Sequence, residues 1–95
     1  MPQVHVSLQV LPGVPDADLY AVVDKAIEYI ASQGVPYVVG PMETTMEGEY
    51  DTLMAIAKRC QEICIEAGAS RVMSVIKVDY RPGGVTLDEK IAKYR

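Results

Sequence analysis

The amino-acid sequence predicts an α+β sandwich: a four-stranded antiparallel sheet, two long helices on one of its faces, and a short C-terminal helix. Three observations carry that expectation. Two segments place apolar residues at helical spacing, and four short runs are β-prone. Each helical segment stops at a glycine, Gly34 or Gly68. The order along the chain reads β-α-β-β-α-β, followed by the short helix. The 95 residues are 49% hydrophobic and 23% charged, which excludes a disordered chain and fits one domain over residues 1–95.

The first element is a strand, because Val4, Val6, Leu8 and Val10 alternate with His5, Ser7 and Gln9. Leu11-Pro12-Gly13-Val14-Pro15 breaks it, since proline lacks a ladder donor. A helix is expected over Asp16 to Gln33, with Asp16 as N-cap and Asp18 favourable at the positive end of the dipole. Leu19, Val22, Val23, Ala26, Ile27 and Ile30 form its stripe. Tyr37-Val38-Val39 is a short β-prone run closed by Gly40-Pro41. Met42 to Glu47 alternates again, and Gly48 ends that third strand.

The second long helix is expected from Tyr50 to Ala67, with Leu53, Ile56, Ala57, Cys60, Ile63, Cys64 and Ala67 on one side. Arg71 to Tyr80 is the longest strand and apolar on both faces, through Val72, Ile76 and Val78 on one and Met73 and Val75 on the other. Pro82-Gly83-Gly84 is a loop. Thr86 and Glu89 form a capping box, and Leu87, Ile91 and Tyr94 lie on one side of the last helix.

This order is the split βαβ, ferredoxin-like pattern. Right-handed crossovers place the first and third strands in the middle of the sheet. Both helices cover one face and leave the other open. With the apolar set of the first strand turned inward, His5, Ser7 and Gln9 face the open side. On the third strand Met42, Thr44 and Met46 suit the core, so Glu43, Thr45 and Glu47 join the open face. The candidate ligand residues are therefore Ser7, Gln9, Glu43, Thr45 and Glu47. Two glutamates on one face of a central strand repel unless something compensates. A merely solvated face is the competing reading.

Other chemistry is poorly supported. Nine Lys and Arg face thirteen Asp and Glu, for a net charge of −4. That argues against nucleic acid as partner and favours a neutral or cationic ligand. There is no apolar run long enough to span a bilayer, and no basic region precedes the strand pattern, so a cytoplasmic location is expected. Cys60 and Cys64 are four apart, which puts them on one helix face. Without nearby companions of ligand type they read as core residues rather than a metal or redox pair. No phosphate loop, HExxH motif or Ser-His-Asp spacing is present. His5 with Glu43 or Glu47 is the one acid–base pairing, and a polar strand histidine is the plainer reading.

Three segments, in this order and spacing, resemble the small thiamine-binding protein family: Val6-Ser7-Leu8-Gln9-Val10-Leu11-Pro12, Gly40-Pro41-Met42-Glu43-Thr44-Thr45-Met46-Glu47-Gly48, and Ile76-Lys77-Val78-Asp79-Tyr80-Arg81. The resemblance covers essentially the whole chain. Its most specific part is Gly-Pro-x-x-Thr-x-x-Glu-Gly, in which many relatives carry glycine where this chain has Glu43. It implies a ferredoxin-like fold, dimers that pair into tetramers, and binding of thiamine or its hydroxymethylpyrimidine part without catalysis. No metal or cofactor is expected, and thiamine enters as ligand. The alternative is an ACT-like regulatory or oligomerisation module that binds another metabolite such as an amino acid.

Overall fold

The computed structural model describes residues 3–94. The elements are β1 (Val4–Pro12), a 3-10 turn (Asp16–Asp18), α1 (Leu19–Ser32), β2 (Tyr37–Val39), β3 (Thr44–Gly48), α2 (Tyr50–Glu66), β4 (Val72–Asp79), α3 (Leu87–Ile91) and a final 3-10 turn (Ala92–Tyr94). The sheet order is β2-β3-β1-β4, antiparallel throughout. The ferredoxin-like α+β architecture expected from the sequence is therefore present, with β1 and β3 central.

Register sorts the side chains. Val6 pairs with Met46 on one edge of β1 and with Val78 on the other, and Leu8 pairs with Thr44 and Ile76. The inward residues Val4, Val6, Leu8 and Met46 are buried, packed against Val22, Ala26 and Ile30 of α1 and Leu53, Ile56, Ala57, Cys60 and Cys64 of α2. Gly34 and Gly68 end the two helices with positive φ, 76° and 107°, a conformation that costs a side-chain-bearing residue.

Four local expectations change. Asp16 is not an N-cap: a 3-10 turn stands at the start, Asp18 occupies the cap position of α1, and neither makes a side-chain capping bond. β1 runs on through Leu11 and Pro12, whose partners on β4 are Met73 and Val72. Proline is tolerated there because it closes the strand. Met42 is not core. The Gly40 amide donates to the Glu43 carbonyl at 2.8 Å, and this tight turn lifts Met42 clear of the sheet, 74% exposed. Tyr94 lies in the terminal 3-10 turn and is exposed, while Leu87 is buried and Ile91 half-buried.

The second sheet face is not wholly open. The segment after β4 doubles back as a strap across one end of it. The Val85 amide donates to the Gln3 carbonyl at 3.2 Å, and Val85 and Leu87 are buried. Thr86 caps α3 by accepting from the Glu89 amide at 3.2 Å, as its capping position predicts. The Leu87 amide donates to Glu47 Oε1 at 2.7 Å. An acceptor carboxylate at a helix start satisfies an orphan donor and complements the dipole. Under this strap His5 is only 3% exposed.

Two predictions follow from this packing. Cys60 and Cys64 are buried free thiols. Burial, with the neighbouring Cys64, pushes the Cys60 thiol up to about 12, and burial also raises Cys64. Neither thiol forms a reactive thiolate at neutral pH. Both should resist a disulfide reagent until the chain unfolds, and replacing both by alanine should cost about 1–2 kcal/mol in chemical denaturation. Fast labelling of the native protein would refute this.

The second concerns the strap. Glu47→Ala removes the acceptor of both the Leu87 amide and buried His5, at a cost of about 1–3 kcal/mol. Hydrogen exchange at the Leu87 amide should accelerate while α2 stays protected. Unchanged exchange at Leu87 would show that the strap is held by other contacts.

Candidate functional site

Three cross-strand rungs build the second sheet face. Asp79, His5 and Glu47 lie side by side on β4, β1 and β3; Lys77, Ser7 and Thr45 form the next rung; Val75 and Gln9 begin the third. Period-two alternation puts all of these on one side, so the five residues expected there from the sequence do share a neighbourhood. Glu43 stands just before β3 and joins this neighbourhood through its bond to Lys77.

The structure divides their work. The Ser7 and Thr45 hydroxyls are bonded to each other at 2.7 Å. One O–H is spent in that bond and the other remains a donor. Glu43 reaches diagonally to Lys77, Oε1 to Nζ 2.8 Å. Glu47 is engaged with the strap and with His5, whose Nε2 is 3.1 Å from Glu47 Oε1. The other ring nitrogen, Nδ1, is 2.6 Å from the Lys90 ammonium. An ammonium only donates, so Nδ1 accepts and the ring proton sits on Nε2, facing the carboxylate. Lys90 also binds Asp79. That hydrogen bond holds the Asp79 carboxyl below its ordinary value.

Two concavities flank this polar centre. One, of about 300 Å³, lies on the sheet face and is lined by His5, Ser7, Thr45, Lys77, Asp79 and Lys90. The other, of about 190 Å³, opens where β3 ends and β1 continues alone. From Gln9 to Pro12, β1 has a strand partner on the β4 side only. Tyr20, Val23 and Ile27 of α1 and Met42 of the tight turn supply apolar walls there, with Asp24, Glu43 and Gln9 among its bordering residues. Glu43 therefore borders the groove while its carboxylate is bonded to a residue that lines the sheet-face concavity.

Sequence reasoning did not single out Lys90, Tyr20 and Asp24. Lys77 and Asp79 alternate on β4 with the open-face parity of Val75, and they bind Glu43 and Lys90 rather than each other. Their parity with Val75 was the available signal. Nothing in the local pattern signalled Lys90, because its place depends on how the strap docks. Among the described residues no group of three His, Cys, Asp or Glu side chains is arranged to hold a metal ion, and no helix is long and apolar enough to cross a membrane.

Comparison with known proteins gives a consistent picture. The profile of the family described as thiamine-binding protein matches residues 6–95. A UPF0045 protein of Clostridium perfringens is 65% identical over 91 residues, covering 96% of each chain. A solved domain of unknown function (DUF77) from Bacillus cereus superposes with a TM-score of 0.92 at 53% identity, over 99% of this chain and 91% of that one. A Thermotoga maritima protein, assigned provisionally to thiamine biosynthesis or salvage, superposes with a TM-score of 0.91 at 44% identity, over 99% of this chain and 100% of its own. On the strength of a match spanning nearly its whole length, the chain belongs to the thiamine-binding protein family.

Proposed function

We propose that this protein binds thiamine, or its hydroxymethylpyrimidine part, without converting it, as a cytoplasmic oligomer in which each 95-residue domain carries one site. The observation that carries this reading is the groove at the end of β3, where apolar walls meet two acidic residues, Asp24 and Glu43. Thiamine is a flat heteroaromatic cation with an aminopyrimidine that both donates and accepts. Apolar walls take its rings, and a carboxylate takes its charge or its amine.

In this reading Gln9 and Glu43 contact the ligand at the rim. Ser7 and Thr45 continue the site onto the sheet face with one spare hydroxyl donor. Glu47 contributes through Oε2, because both of its protein hydrogen bonds fall on Oε1. Support for binding rather than turnover comes from the family description and from the engagement of His5, whose two ring nitrogens are already bonded to Glu47 and Lys90. An imidazole so committed is a poor proton shuttle.

Calorimetric titration with thiamine, hydroxymethylpyrimidine and a panel of amino acids tests the assignment. Thiamine should bind and amino acids should not, and the ligand should be recovered unaltered. Glu43→Gln should weaken thiamine by about 1.5–3 kcal/mol, the range for a hydrogen bond to a charged group. A folded Glu43→Gln protein with unchanged affinity would remove Glu43 from the site.

An exposed apolar strip supports the oligomeric part of this reading. Leu11, Met73 and Val75 are exposed on the sheet face beside the polar rungs, and β4 forms one edge of the sheet. An apolar strip of this kind favours a two-fold partner. Val75→Glu should therefore lower the mass seen by light scattering and weaken thiamine in parallel. A monomeric wild-type protein that still binds thiamine would refute the linkage.

A further inference from the structure

We propose that the sheet-face concavity is a seat for a phosphate group, so that the preferred ligand is a phosphorylated form of the cation held in the groove. The substrate class named here rests on the thiamine reading; the anion seat itself does not.

The lining residues carry the argument. In a chain of net charge −4, this concavity is lined by two ammoniums, Lys77 and Lys90, against one carboxylate, Asp79. The remaining polar lining is His5, Ser7 and Thr45, of which the hydroxyl pair keeps one O–H to donate. Lys77 spends one of its three N–H donors on Glu43. Lys90 spends its donors on His5 Nδ1 and Asp79. Two donors on Lys77, one on Lys90 and one hydroxyl are thus left for an incoming acceptor. Phosphate offers several acceptor oxygens and pairs strongly with such donors.

The carboxylates do not defeat this. Asp79 is already neutralised by Lys90, which keeps it ionised and occupied. Glu43 lies on the far side of Lys77, at the groove. Both ion pairs involve substantially exposed partners, and such pairs are weak enough to rearrange around a ligand.

One ion pair bridges the two concavities. Glu43 borders the groove and is 2.8 Å from Lys77, which lines the seat. A molecule with a cationic ring at one end and a phosphate at the other would give Glu43 a new positive partner and Lys77 a new negative one. One ion pair becomes two, each made to the ligand. A ligand without the phosphate leaves Lys77 competing for Glu43.

The chain contains one histidine, His5, and it lines the seat. Its imidazole resonances are therefore a direct reporter in the ¹H–¹⁵N spectrum. Inorganic phosphate alone should shift them in the wild-type protein and fail to do so in Lys77→Met. In parallel calorimetry at low salt, thiamine monophosphate should bind about tenfold tighter than thiamine, with the ratio falling towards one in Lys77→Met and surviving in Lys77→Arg.

Equal affinity for the two ligands in wild type, or a ratio unaltered by Lys77→Met, overturns the phosphate seat while leaving thiamine binding standing. If neither organic ligand binds but phosphate still shifts His5 in a Lys77-dependent way, the anion seat stands and the thiamine reading falls. A phosphate shift of equal size in wild type and Lys77→Met would mean nonspecific anion binding and would also overturn the proposal.

Discussion

β1 is hydrogen-bonded along both edges, to β3 through residues 4–8 and to β4 through residues 5–12. No side chain on it can change face without breaking two ladders at once. Val4, Val6 and Leu8 are thereby committed to the helices, while His5, Ser7 and Gln9 are committed to the opposite side. The core and the polar centre are two readings of one strand. The burial that stabilises the domain therefore also sets the spacing of the groups available to a ligand.

Charges on the polar side are distributed by burial. Glu47 and His5 lie under the strap, where an unmatched polar group costs about 1–3 kcal/mol, and they are bonded to each other, to the Leu87 amide and to Lys90. The pairs nearer solvent, Glu43 with Lys77 and Asp79 with Lys90, hold their geometry with far less energy. Two glutamates four residues apart, each preceded by methionine, thus have different roles. Glu47 fastens the C-terminal segment, and Glu43 stays exchangeable at the mouth of a groove.

Most of the architecture was legible because alternation and helical spacing are local signals. Residues 4–10, 44–47 and 72–79 show their faces in their own pattern, and the two helix ends carry glycine. Three features were not carried by alternation or helical spacing. Met42 shares the alternation of β3 in sequence, yet the turn closed by the Gly40–Glu43 backbone bond holds it, and β3 starts only at Thr44. Asp16 is a good capping residue, but the chain enters α1 through a 3-10 turn that leaves it no cap to make. The strap places Lys90 against His5 across 85 residues of chain, a contact no short-range pattern encodes. The candidate site was therefore legible as a face, and its division into a groove and a second concavity was not.

The two borders of the sheet are unequal. β2 is three residues long and runs into Gly40 and Pro41, so it offers little backbone for a further ladder. β4 is eight residues long, contains neither proline nor glycine, and lies at the outside of the sheet. Growth of this sheet by addition of another strand is therefore directional: lengthening of β2 beyond Val39 is blocked by its own turn, whereas β4 presents a continuous template of amides and carbonyls. Lys77 and Asp79 punctuate that template with charge, which limits indiscriminate templating and leaves the edge selective for a strand whose own charges are complementary.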